Sequence, residues 1–405
     1  MEYITVREAA QKWKISQRLA QKYCTDGRIE GAKKFGGAWA IPADAQKPTD
    51  PRRAAKVPPP PPASAQPAPV SQAACMTPMP LMNAAFVPGR CQEFVAAISD
   101  PRLRDTAQAE YYYFSGQAEE AALKAELYLT HPELSLRLSA CLLYAYANLT
   151  LGQIPRARHG LEEVRAILAA ADETTPPQLR ASAAFIVSAA AVLLHLPLPA
   201  ELANAQAYIR FLPPGLRMFA LYVQAHHTYL QGDYSKSIGI VETTFAMQTE
   251  VFPIPAIYMH LVAVMDYMGL KQPEKAQEHL LAAWALAQPD DLIEGFGEHH
   301  GLLGGMLEAT LKKGWPEDFK RIIAITYRFS AGWRKIHNPA TGDDVADNLT
   351  TTEFATAMLA ARGWTNQEIA DHMSISPNTV KQYISTALQK LNIKQRKDLK
   401  QYMLR

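Results

Sequence analysis

Near one end of this 405-residue chain stands the run Ser376-Pro377-Asn378-Thr379-Val380-Lys381-Gln382-Tyr383-Ile384-Ser385. Its side chains carry hydroxyl, amide and ammonium groups, the types that bond phosphate oxygens and base edges. Ser376 has the form of a helix N-cap, and Pro377 of a first helical residue, where a missing N–H costs nothing. Val380, Ile384, Leu388 and Leu391 recur at spacings of 4, 4 and 3 and make one inner stripe. Asn378, Lys381, Gln382 and Ser385 stay off that stripe, within reach of base edges. Thr379 and Lys381 lie at the end where a helix favours phosphate. The chemistry is recognition of a double-stranded nucleic acid.

Such a helix needs others to hold it. Thr350-x-x-Glu353 is a capping box that opens a helix running to Arg362, with Gly363 as its stop. Thr365-x-x-Glu368 opens a second, with Ile369, Ala370 and Met373 inward, and Ser374-Ile375-Ser376 makes the turn. Asn392 reads as a left-handed stop, after which a fourth helix is expected from about Gln395 to Met403. Two short helices joined by a three-residue turn form a helix-turn-helix. The stretch LTTTEFATAMLAARGWTNQEIADHMSISPNTVKQYISTALQKLNIKQRKDL closely resembles the LuxR/GerE-type DNA-binding domain. Its hallmarks stand as Leu349-Thr350, Asn366-x-Glu368-Ile369-Ala370 and Ser376-x-Asn378-Thr379-Val380-Lys381. Three departures, Tyr383, Asn392 and Thr351-Thr352, bear on base preference rather than on fold. The residues expected at DNA here are Thr365, Ser376, Asn378, Thr379, Lys381, Gln382 and Ser385. The resemblance also implies a homodimer through the fourth helix, with Leu399, Tyr402 and Met403 as its apolar candidates.

The other end repeats the theme with different means. Thr5-Val-Arg-Glu8 is a capping box opening a helix with Val6, Ala9, Ala10 and Trp13 apolar. Ser16 caps a second helix that Gly27 closes, with Leu19, Ala20 and Tyr23 inward. Gln17, Arg18, Gln21 and Lys22 form its outer face, suited to a major groove. A strand pair, Arg28 to Lys34 and Ala38 to Pro42, is expected around Phe35-Gly36-Gly37, with Lys33 and Lys34 beside the tip to touch phosphate. The segments YITVREAAQKWKIS, SQRLAQKYCTDGRI and GAKKFGGAWAIP resemble the winged helix-turn-helix of the MerR and excisionase type. That resemblance implies helix 16–26 in the major groove and the wing on backbone or minor groove.

Charge follows the same division. The chain carries +2 overall, but residues 1–56 hold 12 Lys+Arg against 6 Asp+Glu, and residues 345–405 hold 8 against 5. Residues 57–344 hold 21 against 28, an acidic middle between basic ends. From Pro48 to Pro88 there are 12 prolines, and no charge lies between Lys56 and Arg90, so residues 48–89 are expected as an extended spacer. Asn338 to Asn348 is a breaker-rich loop.

Residues 90–340 are rich in Ala and Leu at helical spacing. Turn positions at Gly116, Gly152, about Leu196, Gly232, Gly269 and Gly314 recur at 36, 44, 36, 37 and 45 residues. Segments such as AEYYYFSGQAEEA and LLYAYANLTLGQIPRA are similar to tetratricopeptide repeats. Tyr111 to Phe114 reads as core and groove lining. The pairs His226-His227 and His299-His300 point about 100° apart on a helix and cannot share one metal ion. No H-E-x-x-H, no phosphate-binding G-x-x-x-x-G-K-[ST] and no C-x-x-C occurs in the sequence. No enzyme, metal or cofactor is therefore expected.

The expected fold is mainly α: a winged helix-turn-helix with a small β-hairpin at 1–47, the spacer at 48–89, an α-solenoid at 90–340 and a four-helix LuxR-type head at 345–405. The longest apolar stretch, Ala181 to Leu196, is 16 residues and too short to span a bilayer. No leader is expected, and the location expected is cytoplasmic. The function expected is a transcription regulator with two DNA-binding heads around a sensing or docking domain. That middle would take a peptide, protein or small-molecule effector. A DNA-architectural or recombination-directionality factor, and a tetratricopeptide-type adaptor, are the alternatives.

Overall fold

The computed structural model describes residues 3–13, 17–29, 31–36, 38–43, 45, 77–171, 174–194, 205–337 and 349–400. The chain forms two compact units, Met1–Gln66 and Pro67–Arg405.

In the first unit, β1 (Tyr3–Thr5) leads into α1 (Val6–Lys12) and α2 (Gln17–Thr25), then β2 (Lys33–Phe35) and β3 (Ala38–Pro42). Thr5 ends the strand and caps the helix: its side chain accepts from the Glu8 amide at 3.3 Å, while Glu8 accepts from the Thr5 amide at 2.7 Å. The three strands form one antiparallel sheet in the order β1-β3-β2, with Tyr3 opposite Pro42 and Lys33 opposite Ala40. The expected strand pair is corrected in two ways. Its first arm shrinks to Lys33–Phe35, because Gly27 (φ +67) and Gly31 (φ +79) hold the preceding segment in left-handed turns. A third strand, β1, fills the other edge of β3. Ala9, Trp13, Tyr23, Cys24, Ile29 and Ile41 make the small core. Ser16, Gly37 and the side chain of Leu19 lie outside the described residues.

The second unit begins earlier than the proline pattern suggested. Met79, Leu81, Met82 and Phe86 are buried in its core. Glu110 accepts from the amides of Leu81 at 2.9 Å and Met82 at 2.8 Å, and Ser139 accepts from the Met79 amide. Prolines 78, 80 and 88 thus punctuate an ordered strap, and the spacer expected at 48–89 does not extend into it. Residues 48–76 lie outside the described residues.

Fourteen helices and a 3-10 turn follow among the described residues before the C-terminal head. They are α3 (Cys91–Ala97), α4 (Pro101–Phe114), α5 (Ala118–Glu126), α6 (Leu134–Thr150), α7 (Ile154–Ala170), α8 (Pro177–Leu193) and the short α9 (Gln206–Ile209). Then come α10 (Pro214–Leu230), α11 (Tyr234–Met247), α12 (Pro253–Gly269), α13 (Pro273–Ala287), the 3-10 turn Gln288–Asp290, α14 (Glu294–His299) and α15 (Met306–Gly314). The long α16 (Pro316–His337) closes the series.

One turn joins α4 to α5, α6 to α7, α10 to α11 and α12 to α13. In each, a left-handed residue donates three positions back and its successor five back, as with Gly116 to Tyr113 and Gln117 to Tyr112. Gly116, Gly152, Gly232 and Lys271 occupy the left-handed position. The fourth corrects the expected turn at Gly269, which is the last helical residue. A β-carbon on Gly269 would lie 2.8 Å from the Tyr234 ring, so this glycine serves packing. The expected turn near Leu196 lies outside the described residues. Small residues also let helices approach: a β-carbon on Gly160 of α7 would sit 2.8 Å from the Cys141 carbonyl of α6.

Contacts depart from those of an open solenoid, in which each repeat meets only its neighbours. Helix α16 packs on α14 and also returns to α6 and α7, far back in the chain. Ile325 of α16 lies against both Gly116 and Gly297. The face expected as an open groove is therefore covered in part by the chain's own last long helix. Cys24, Cys91 and Cys141 are buried thiols, and no helix among the described residues is long and apolar enough to cross a membrane.

The head consists of α17 (Thr351–Ala361), α18 (Asn366–Met373) and α19 (Pro377–Lys390), then a 3-10 turn at Arg396–Asp398. Helix α17 opens on the capping box of Thr350 with Glu353, α18 on that of Thr365 with Glu368, and α19 on Ser376 with Pro377 at its start. Gly363 (φ +79) and Asn392 (φ +50) take the left-handed stops expected of them.

Candidate nucleic-acid interface

Val380, Ile384 and Ala387 bury one side of α19 against α17 and α18. The opposite side, with Asn378, Lys381, Gln382 and Ser385, is exposed. These four side chains project from the first three turns of the helix, where base edges are read in a helix-turn-helix. Ser376 and Thr379 turn out to be partly committed. The Ser376 hydroxyl accepts from the Thr379 amide at 3.0 Å and pairs with the Thr379 hydroxyl at 2.8 Å. Thr365 likewise accepts from the Glu368 amide at 3.2 Å. Their first role is therefore to set the N-termini of α18 and α19.

Three basic side chains of the head are committed to partners within the chain. Lys390 donates to Glu353 at 2.7 Å. Burial works to raise Glu353, but the Lys390 and Thr350 contacts together hold it below its usual range. Arg396 donates to Asn366 at 2.5 Å and to the Trp364 carbonyl, fastening the 3-10 turn to the start of α18. Arg362 faces away from α19 altogether. It donates to the Tyr229 hydroxyl at 2.5 Å and to the Leu302 carbonyl at 2.9 Å.

Arg362 marks a seat that sequence reading missed. The head rests on the helical domain through α17 and α18, and α19 stays outward. Lys271 donates to the Gly363 carbonyl at 2.8 Å and lies 3.7 Å from Glu368. His372 lies 3.3 Å from the Gly304 carbonyl, and burial lowers its imidazole below the usual range. Phe354 fills the space over Gly301, where a β-carbon would come within 2.5 Å of its ring. No local signal could have revealed these contacts, because their partners are 53 to 133 residues apart in sequence.

The expected fourth helix is also corrected. Arg396–Asp398 is a 3-10 turn, and helical residues begin only at Leu399. Leu399 is fully buried in the core, so its side chain is not available to a second subunit. Tyr402 and Met403 lie outside the described residues.

In the N-terminal unit, Gln17, Arg18, Gln21 and Lys22 share the exposed face of α2, while Ala20, Tyr23 and Cys24 are buried. Lys33 and Lys34 are exposed on β2, the edge strand opposite β1. The two sets thus sit on separate elements of one small unit. The histidine pairs have structural partners: His299 lies 2.7 Å from the Tyr222 hydroxyl, and His300 bonds Glu308 at 2.8 Å. Among the described residues no group of three His, Cys, Asp or Glu side chains is placed to hold a metal ion.

Residues 347–403 match the family described as bacterial regulatory proteins, luxR family. No curated protein and no solved structure matches the chain. The match spans α17 to α19 and the turn beyond, the elements whose caps and exposed face are described above. It makes this segment a luxR-type regulatory domain and supports a DNA-binding transcription regulator.

Proposed function

We propose that the chain is a cytoplasmic transcription regulator with two DNA-binding heads and a helical domain that senses or docks an effector. The observation that carries the reading is the exposed polar face of α19, with Asn378, Lys381, Gln382 and Ser385 on a helix whose other face is fixed in the head. In this reading α19 lies in the major groove, and the N-terminal amides of α18 and α19 meet phosphates. The N-terminal unit acts as a winged helix-turn-helix of MerR or excisionase type, with α2 reading DNA and Lys33 and Lys34 on the backbone. The helical domain, tetratricopeptide-like in its turns, supplies the effector site.

Selection of bound duplexes from a random pool by the full-length protein tests this reading. Enrichment of a sequence that Lys381→Ala fails to hold supports it, and a pool that stays random sinks it. Genome-wide footprints add the context: promoter-proximal peaks fit regulation, and occupancy of attachment sites or of broad regions would fit architecture instead.

A further inference from the structure

The helical domain holds a narrow cavity and an open groove. The cavity, walled in part by Tyr113, Tyr258 and Glu298, is about 40 Å³ and admits a few waters at most. Its carboxyl is already engaged: the Tyr258 hydroxyl donates to one Glu298 oxygen at 2.8 Å, and Tyr113 donates to the other. The groove is of another size. It offers about 390 Å³ where α5 meets the end of α6 and the start of α7, within the range of ligand pockets. Glu119, Leu123 and Glu126 of α5 stand on one wall, Leu151 and Arg156 on the other, and Asn148 of α6 at the base.

Three features of the groove exceed what packing requires. Leu123 is 66 % exposed and Leu127, one turn on, is 71 % exposed, an apolar pair that the chain itself leaves uncovered. Asn148 is the reverse, only 1 % exposed. Its Nδ2 donates to the Tyr144 carbonyl at 2.9 Å, whereas its Oδ1 has no partner among the described residues. A buried amide oxygen left unmet is costly, so a donor that enters the groove gains by meeting it. Glu119 and Glu126, both exposed, form no ion pair among the described residues; Glu126 takes only a long contact from the Tyr144 hydroxyl at 3.5 Å. Seven residues make nearly two helical turns, so these carboxylates share one stripe about 10 Å apart, with Leu123 between them. The lining carries one base, Arg156, which lies beside the same Tyr144 hydroxyl. Two carboxylates against one guanidinium leave the groove acidic.

From this arrangement we infer that the groove docks an extended peptide in which basic and apolar side chains are neighbours. A basic side chain lies along the Glu119–Glu126 stripe, an apolar one packs on Leu123 and Leu151, and a backbone N–H donates to the Asn148 oxygen. An extended peptide suits the site because its amides are free to donate, whereas a helix has spent most of its own. A small amine would meet the acids and leave the two leucines uncovered. The inference names the partner class for the docking role proposed for the helical domain, and rests on that role only for its biological use.

Displayed random heptapeptides, selected on the full-length protein without DNA, test the inference, with fluorescence polarisation of the most enriched peptide as the readout. The expected result is saturable binding of peptides that set Lys or Arg beside an apolar residue. Glu119→Gln and Glu126→Gln should each weaken that peptide by about twofold to fivefold, the range of exposed charge pairs. Arg156→Gln removes the like charge from the lining and should strengthen it by about the same factor. Leu123→Ser should weaken it by about threefold to tenfold through lost apolar burial. All four side chains are exposed, so these variants keep the fold. Asn148→Ala should cost about fivefold or more; if it does not fold, the four surface variants decide. No enrichment, enrichment of acidic peptides, weaker binding by Arg156→Gln, or full affinity in the Glu119, Glu126 and Leu123 variants overturns the inference. A dimer of the free protein that Leu123→Ser disperses would seat a second copy in the groove and overturns it too. Duplex selection is read separately, so either idea can fail without the other.

Discussion

Arg362 and Tyr229 meet across 133 residues of sequence, the guanidinium donating to the phenol oxygen at 2.5 Å. The same guanidinium lies 6.0 Å from the centre of the Tyr229 ring and bonds the Leu302 carbonyl. One side chain at the end of α17, the first helix of the head, thus ties together two elements of the helical domain. Tyr229 is buried, and burial raises its phenol above the usual range while Arg362 pulls it back.

Replacing Arg362 by Ala leaves a buried phenol and a carbonyl without their donor. A loss of about 1–3 kcal/mol in unfolding free energy is expected. Hydrogen exchange should show earlier opening of α17 and α18 than of α12 and α13. Unchanged protection in α17 would mean that the head holds its place without this contact.

Lys381 and Lys390 stand on one helix and should behave oppositely. Lys381→Ala is expected to weaken operator binding by about 1–3 kcal/mol with no change in melting temperature. Lys390→Ala should affect stability first, because it removes the partner of the mostly buried Glu353. DNA titrations paired with thermal melts separate the two; equal loss of affinity in both variants would contradict the assignment.

Deletion of residues 1–47 tests the N-terminal unit. Each phosphate contact contributes about 0.9 to the slope of log K against log salt. If Lys33, Lys34 and the face of α2 touch DNA, the truncated protein shows a slope shallower by about 2 or more. An identical slope would assign the unit to another partner.

Stability should fall between about pH 6.5 and 8. Burial raises Glu110 to about 8 and Asp266 to about 8. Over that range the folded chain keeps both protons while the unfolded chain, with ordinary carboxyls, does not. Each group then costs up to about 1.4 kcal/mol per pH unit. Histidines His260, His279 and His372, which burial lowers, act in the opposite sense but only below their usual value of 6.5. Denaturant titrations of Asp266→Asn and Glu110→Gln should give flatter slopes above pH 6.5. An unaltered slope would mean that these carboxyls stay ionised in the fold.

The head was legible because its signals are local. Thr350, Thr365, Ser376, Gly363 and Asn392 each act within a turn of their own position, so a short window contains the whole cause. The same holds for Gly116, Gly152 and Gly232, where a left-handed turn needs glycine. Lys271 escaped because a lysine took that conformation, while the nearby Gly269 was needed for close packing on Tyr234. Strand β1 escaped because three residues show no alternation, and its existence depends on the free edge of β3. The burial of Leu399, the return of α16 to α6 and the seat of the head are long-range outcomes of packing, with no period to betray them. Tyr113 and Phe114 read as core and groove lining, and both are buried; Glu298, beside the His299-His300 pair, carries no local signal of its burial.

The segment from Glu294 to Gly305 holds Glu298 at one end and, at the other, Gly301 beneath Phe354, the Leu302 carbonyl on Arg362 and the Gly304 carbonyl on His372. A cavity wall and a docking seat are therefore two ends of one twelve-residue piece. Linkage makes any communication through it reciprocal. Whatever factor an effector held by the helical domain imposes on operator affinity, the operator must impose on that effector, so that DNA would itself act as an effector of the helical domain.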